Sequence, residues 1–256
     1  MLLVADIGNT NITFGLYDKD ELIGTYRLTT WFKRTSDEYG FMILNFLNAS
    51  NVKAEEIEDV IIASVVPKIM HSFNNSIRRY IKKEPILVGP GTKTGIAIKY
   101  DNPKEVGADR IVDAVGAHYS YGGNILVIDF GTATTFEIID ENGTYHGGCI
   151  CPGIQICAEA LSKNTAKLPE IEIKPTSKVI ESNTIAAMQS GIFYGYIGTT
   201  EYLIDKIKEE FNKDLRVIAT GGLGRVVAKY TKKIDIYDPD LTFKGLRIIY
   251  EKNKKA

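Results

Sequence analysis

Two short segments of this chain pair a carboxylate with a glycine and a run of hydroxyl or amide residues, and each follows an apolar strand. Leu2-Leu3-Val4-Ala5-Asp6-Ile7-Gly8-Asn9-Thr10 aligns with Ile125-Leu126-Val127-Ile128-Asp129-Phe130-Gly131-Thr132-Ala133. A strand that ends in Asp and turns sharply through Gly leaves backbone N–H groups available, and a residue without Cβ lets them approach a phosphate closely. Asn9, Thr10, Asn11 and Thr13 add side-chain donors to the first copy, and Thr132, Thr134 and Thr135 to the second. The aspartate can meet a cation that travels with the phosphates. One copy alone reads equally well as a hairpin with a polar tip. Two copies on matched strands point instead to a pair of loops that clamp a nucleotide's phosphates. A third strand end, Ile218-Ala219-Thr220-Gly221-Gly222-Leu223-Gly224, offers glycines against which a flat ring or a phosphate can lie. No Gly-x-x-x-x-Gly-Lys-[Ser/Thr] occurs in the chain, which sets this apart from P-loop phosphate binding.

Such loops need strands to end on and helices to back them. A long repeat used only twice implies two related halves, since a solenoid needs more copies. Alternating strand and helix signals fill the rest. Thr35 and Glu38 have capping-box spacing ahead of a helix carrying Phe41, Leu44 and Leu47. Asp59–Val66 is a buried-strand run stopped by Pro67, and Ile69, Phe73, Ile77, Tyr80 and Ile81 keep helical spacing after it. Further helices are expected from about Val106 to Tyr119 and from Thr184 to Phe211, with strands at Pro85–Val88 and Leu215–Thr220. The break at Tyr119-Ser120-Tyr121-Gly122-Gly123 divides the chain into expected domains 1–117 and 118–256. The basic run ending at Lys255 reads as a solvated tail.

Composition narrows the function classes. With 256 residues, 44% hydrophobic and 25% charged, the chain has the make-up of a globular protein able to bury a substantial core. Its 31 basic and 32 acidic residues leave a net charge of −1, so no global field favours nucleic acid or an anionic membrane. No apolar run reaches the roughly 18 residues of a spanning helix, and the apolar N-terminus lacks a basic leader. Three cysteines fit a reducing compartment better than a disulfide framework, so a cytoplasmic location is expected. His146, Cys149, Cys151 and Cys157 lie close in sequence, but Cys149-x-Cys151 is tighter than the usual zinc spacer, and small buried cysteines explain it more simply. Trp31 is expected to be a packed aromatic.

The ordered set of loops resembles the superfamily of acetate and sugar kinases, heat-shock chaperones and actin, and the resemblance runs over nearly the whole chain. Within it, Asp6-Ile7-Gly8-Asn9-Thr10-Asn11 resembles the first phosphate motif of type III pantothenate kinases. Ala63-Ser64-Val65-Val66-Pro67 is similar to their Ser-Val-Val-Pro strand end, Gly107-Ala108-Asp109-Arg110 to their Gly-x-Asp-Arg motif, and Asp129–Thr135 to their second phosphate motif. Gly147-Gly148, Ile150, Pro152-Gly153, Thr184 and Met188-Gln189-Ser190-Gly191 fit as well.

The resemblance implies an α/β fold of two ribonuclease-H-like halves, each a mixed central sheet flanked by helices, with the nucleotide in the cleft between. It implies ATP-dependent phosphorylation of pantothenate, the first step toward coenzyme A. Asp109 would be the general base, and Tyr100, Gly107, Ala108, Asp109, Arg110 and Thr184 would line the pantothenate site. ATP would be held by Asp6, Ile7, Gly8, Asn9, Thr10, Asn11, Ile12, Thr13 and Thr132, with Mg2+ arriving on the nucleotide. Asp129 would bind a monovalent cation, K+ or NH4+, and the enzyme would be a homodimer with no nucleic-acid or membrane partner. Without its context an Asp-Arg pair reads as a solvated ion pair in a first helical turn. A carboxylate that orients a hydroxyl is nonetheless sufficient for phosphoryl transfer, which depends mainly on positioning and charge neutralisation. Two other activities suit parts of the pattern: a small sugar or polyol kinase, and a non-catalytic nucleotide-binding regulator of transcription.

Overall fold

The computed structural model describes residues 1–254. Within it the chain forms two compact units. One is Met1–Tyr121 together with the segment from Asp240 onward, and the other is Gly122–Pro239.

In the first unit, β1 (Leu2–Ile7), β2 (Asn11–Asp18) and β3 (Glu21–Thr29) form an antiparallel meander. β4 (Asp59–Ser64) and the short β5 (Ile86–Leu87) add in parallel, giving the order β3-β2-β1-β4-β5. The period-2 alternation of a strand explains how β1 serves two layers. Leu3, Ala5 and Ile7 face a core shared with Tyr39, Ile43 and Leu47 of α1 (Ser36–Ala49) and with Ile69 and Phe73 of α2 (Pro67–Ser76). Leu2 and Val4 face the opposite core, with Val112 and Val115 of α3 (Ala108–Tyr121).

The expected capping box forms: the Thr35 hydroxyl accepts from Glu38 N at 3.3 Å, and Glu38 Oε2 accepts from Thr35 N at 2.7 Å. The buried face of that helix differs from expectation, because Phe41 is exposed while Tyr39 and Ile43 fill the core beside Leu47. Trp31 likewise is not packed. It is 57% exposed, as is its neighbour Phe32, on the short connection between β3 and α1.

The second unit repeats this topology. β7 (Ile125–Phe130), β8 (Ala133–Ile139) and β9 (Thr144–Pro152) form the meander, and β10 (Arg216–Thr220) and β11 (Ile236–Tyr237) add in parallel, so its strands run β11-β10-β7-β8-β9. The remaining short strand, β6, is Ala97–Ile98. Leu126, Ile128 and Phe130 pack with Phe193, Tyr196 and Ile197 of α5 (Thr184–Phe211) and with Ile154 of α4 (Ile154–Asn164). A single turn of helix, α6 (Gly224–Ala228), follows β10. The chain is thus a mixed α/β protein with two mixed sheets flanked by helices, as the repeat implied.

The two units do not coincide with the expected halves. The C-terminal helix α7 (Leu241–Asn253) packs Phe243, Leu246 and Ile249 into the core behind β1, β4 and α3, so it belongs with the N-terminal strands. Close packing with α3 is what brings it there. A Cβ on Gly245 would lie 2.0 Å from Val112 O, and one on Gly116 would lie 2.5 Å from Leu241 O, so two glycines let the helix backbones touch. The Thr242 hydroxyl also donates to the buried carboxylate of Asp113 at 2.6 Å. Instead of fraying, residues 251–253 continue this helix, and Asn253 donates to Lys93 O at 2.8 Å. Lys255 lies outside the described residues.

Candidate functional site

In the first unit, Asp6 lies near the end of the central strand β1, in register with Thr13 on β2 and Ala63 on β4. The turn that follows is closed by Gly8 N donating to Asn11 O at 2.9 Å. Asn9 and Thr10 at its tip are exposed, while Ile7 and Ile12 are buried beneath it. Ile7 and Ile12 therefore support the turn from the core. Thr30, just past β3, reaches this turn twice: its N–H donates to Thr10 O at 2.9 Å and its hydroxyl to Gly8 O at 2.7 Å.

The Gly107–Arg110 segment forms the start of α3, with Ile111 N donating to Gly107 O at 3.2 Å. Asp109 lies in the first helical turn, where partial positive charge from exposed N–H groups favours an anion. Its Oδ1 accepts from Arg110 N at 2.8 Å. Burial nevertheless dominates and pushes the Asp109 carboxyl above the ordinary aspartate range, against the pull of that N–H and of the Arg110 guanidinium. The Arg110 guanidinium lies 5.9 Å from the ring centre of Tyr100, a cation–π contact. A Cβ on Gly107 would sit 2.4 Å from Asp109 Oδ1 and 3.5 Å from Val65 Cγ1. Gly107 thus sits between the Asp109 carboxylate and Val65 at the end of β4, while Arg110 reaches the ring of Tyr100.

In the second unit, Asp129 occupies on β7 the place of Asp6 on β1, in register with Thr135 and Thr220. Backbone closes in on both of its carboxylate oxygens. A Cβ on Gly131 would lie 3.2 Å from Oδ2, and one on Gly221, whose φ is +86°, would lie 2.4 Å from Oδ1 and 2.7 Å from Phe130 N. Gly221 is held in this conformation by Tyr237, whose hydroxyl donates to Gly221 O at 3.0 Å. The second phosphate motif and the glycine-rich end of β10 are thus one assembly built on Asp129, and Thr132 is exposed at its tip.

Thr184 opens α5, exposed, next to the Asn183 cap whose side chain accepts from Ala186 N at 2.9 Å. Three residues of the same helix fasten the irregular chain leading to it. Gln189 Nε2 donates to Glu172 O at 3.0 Å, Ser190 Oγ to Val179 O at 2.6 Å, and Tyr194 Oη to Thr176 O at 2.6 Å. The sequence shows Gln189 and Ser190 as motif positions without a task and gives no sign of one for Tyr194. Their partners are carbonyls at least eleven residues away, which no local pattern reveals.

His146 is occupied by Asp140 Oδ2 at 2.9 Å. Cys149 and Cys151 pack against the core of the second unit, where burial pushes the Cys149 thiol up to about 11. Among the described residues, no group of three or more His, Cys, Asp or Glu side chains is placed to hold a metal ion.

The family model for type III pantothenate kinases matches residues 2–206. A protein of Agathobacter rectalis named type III pantothenate kinase is 52% identical over all of this chain and 98% of its own length. Among solved structures, a Campylobacter jejuni protein described as a Baf-family transcriptional activator superposes with a TM-score of 0.58 at 21% identity, covering 98% of each chain. The activator of 2-hydroxyisocaproyl-CoA dehydratase from Clostridium difficile, solved with ADPNP bound, gives a TM-score of 0.54 at 12% identity over 100% of this chain and 99% of that one. At such identities the two structures share a fold with this chain, and the fold alone follows from them.

Proposed function

This chain belongs to the type III pantothenate kinase family and is a pantothenate kinase; from that premise we propose that Asp109 is its general base, acting on the primary hydroxyl of pantothenate. The supporting observation is a carboxylate raised by burial in the first turn of α3, close against Gly107 and next to the Arg110–Tyr100 contact. A raised carboxylate is a stronger base, which suits it to take a hydroxyl proton as the oxygen attacks phosphorus. The Arg110 N–H on Oδ1 holds the rotamer, so positioning is settled before substrate arrives. Gly107, Ala108, Arg110 and Tyr100 line the pantothenate site around this base; in the second unit, Thr184 offers a hydroxyl at the exposed start of α5.

In the first unit the Gly8–Thr13 turn takes nucleotide phosphate, and Asp6 lies where a carboxylate can meet Mg2+ directly or through water; in the second unit the Gly131–Thr132 turn is built to take phosphate as well. Gly221 and Gly222 accept the base. The oxygens of Asp129, set against backbone on two sides, suit a cation with hard oxygen preference, and we assign K+ or NH4+ there. Bound at that position, the cation would neutralise charge beside the phosphates. The reading also makes the enzyme a cytoplasmic homodimer. The open face of α5 supports the dimer, because Gly191, Gly195 and Gly198 have nothing within 4 Å of an added Cβ. No described helix is long and apolar enough to cross a membrane.

ADP release from MgATP with pantothenate, run in potassium, ammonium and sodium salts, tests the reading. Turnover should require pantothenate and one of the first two cations, and Asp109→Asn should lower kcat by about 10²–10⁴-fold. ATP binding without pantothenate-dependent turnover in any salt would point to the regulator or to a sugar or polyol kinase. An Asp109→Asn enzyme as fast as the wild type would remove Asp109 from the role of base.

A further inference from the structure

Thr30 belongs to none of the phosphate or substrate motifs, yet both of its donors are spent on the Gly8–Asn11 turn. It is 7% exposed. Its N–H continues the β2–β3 ladder to Thr10 O at 2.9 Å, an ordinary antiparallel bond. Its hydroxyl leaves that ladder and donates to Gly8 O at 2.7 Å, on the β1 side of the turn. The two bonds therefore fix two carbonyls of the turn, those of Gly8 and Thr10, from one residue.

A trans peptide directs its C=O and N–H to opposite sides, and no peptide bond among the described residues is cis. With Gly8 O held by Thr30, the N–H of Asn9 must point away from Thr30, at the exposed tip of the turn. Oriented backbone N–H groups at such a tip are what an anion is recognised by. Without the hydroxyl, the Gly8–Asn9 peptide can rotate, because Gly8 has no Cβ to restrain it.

We infer that Thr30 is a positioning residue for nucleotide phosphate: its hydroxyl, through Gly8 O, aims the Asn9 N–H at the phosphate chain. It does not touch substrate, and it acts on the nucleotide and not on the phosphoryl acceptor. The inference rests on the reading of Gly8–Thr13 as a phosphate turn.

The test compares Thr30→Val, which keeps the shape and loses the donor, with Thr30→Ser, which keeps the donor. Titration calorimetry with the magnesium complex of a non-hydrolysable ATP analogue reads the nucleotide site, and steady-state kinetics split the two substrates. Thr30→Val should weaken analogue binding and raise the KM for ATP by about 5–20-fold, the effect of one lost hydrogen bond. Its KM for pantothenate and its kcat at saturating ATP should stay within about 3-fold, and Thr30→Ser should return the ATP values to within about 3-fold of wild type. If Thr30→Val fails to fold, Thr30→Ala removes the same donor with less apolar bulk and is read in the same way. A folded donor-less variant that binds the analogue like wild type, in an enzyme that does bind it, overturns the inference and leaves the phosphate turn standing. A wild-type enzyme whose analogue affinity is unaffected by Gly8→Val removes the phosphate turn itself, and the inference falls with it.

Discussion

The two Asp-x-Gly turns occupy equivalent places in the two units, yet they are built with different devices. In the first unit β1 and β2 pair up to Ile7 and Ile12, which leaves four residues, 8–11, to make the turn. In the second, β7 and β8 pair up to Phe130 and Thr134, which leaves three, 131–133. An ungapped alignment of the two repeats hides this difference, and the strand registers expose it. At the matching point of the neighbouring strand, Thr30 N donates to Thr10 O and Gly153 N donates to Thr132 O. The longer turn has room for a side chain there, and the Thr30 hydroxyl fills it with a bond to Gly8 O. The shorter turn has none: a Cβ on Gly153 would fall 2.3 Å from Thr132 O and 2.6 Å from Gly131 O. One turn is oriented by a side-chain hydrogen bond, the other by direct backbone contact. Duplicated topology therefore does not imply duplicated energetics, and the second turn should be the less tolerant of change.

The largest effects should come from filling the second turn. Gly221→Ala meets both a backbone conformation that an L side chain rarely adopts and a contact of 2.4 Å with Asp129 Oδ1. It should cost about 2–4 kcal/mol of stability and most of the turnover, with Gly153→Ala close behind at about 1–3 kcal/mol. Urea denaturation and ADP release measure both. Unchanged stability in Gly153→Ala would mean the shorter turn yields as easily as the longer one.

A smaller effect, confined to rate, is expected from Gly107→Ala in the first unit. The new methyl displaces the Asp109 carboxylate, which is a side chain and able to move, so the fold should survive. Misplacing a base by about 1 Å should lower kcat about 10–100-fold. Steady-state kinetics beside a thermal melt would show whether rate and stability separate in this way.

The smallest expected change is a shift in pH dependence. As the proposed base, Asp109 would have to be ionised to accept a proton, so kcat/KM should fall as pH drops through its raised pKa. Arg110 favours the ionised form, so Arg110→Gln should move that acid limb to higher pH. The same raised pKa carries a stability consequence. The folded state favours protonated Asp109, so this contribution is present below the unfolded carboxylate pKa and lost as pH rises through the folded one. Asp109→Asn should consequently raise the melting temperature at pH 7 relative to wild type, and the gain should vanish in acid. A pH–rate profile and melts at two pH values check both signs.

Much of this molecule was legible before any tertiary contact was known. The span of α5 from Thr184 to Phe211, the Thr35–Glu38 capping box and the paired Asp-x-Gly strand ends are local patterns, fixed by helical period, cap chemistry and turn preference. Trp31 was misread because an isolated aromatic has no pattern to place it, and the backbone around it runs over the surface. The tasks of Thr30, Gln189, Ser190 and Tyr194 were invisible for a related reason, since each donates to a carbonyl that any residue carries.

The sequence by itself determined that the chain is a duplicated α/β protein, where its paired Asp-x-Gly strand ends fall, and to which family it belongs. These follow from residue types at short spacings, where the physics is that of one strand, one turn or one helix. Tertiary structure alone decided that α7 returns to the first unit through Gly116 and Gly245, and that Gly107, Gly153 and Gly221 are sites of close approach. It also decided that one phosphate turn is a residue shorter than its twin. Each of these depends on backbone atoms meeting across long separations, where the identity of the distant residue carries no signal and only packing and register bring the partners together.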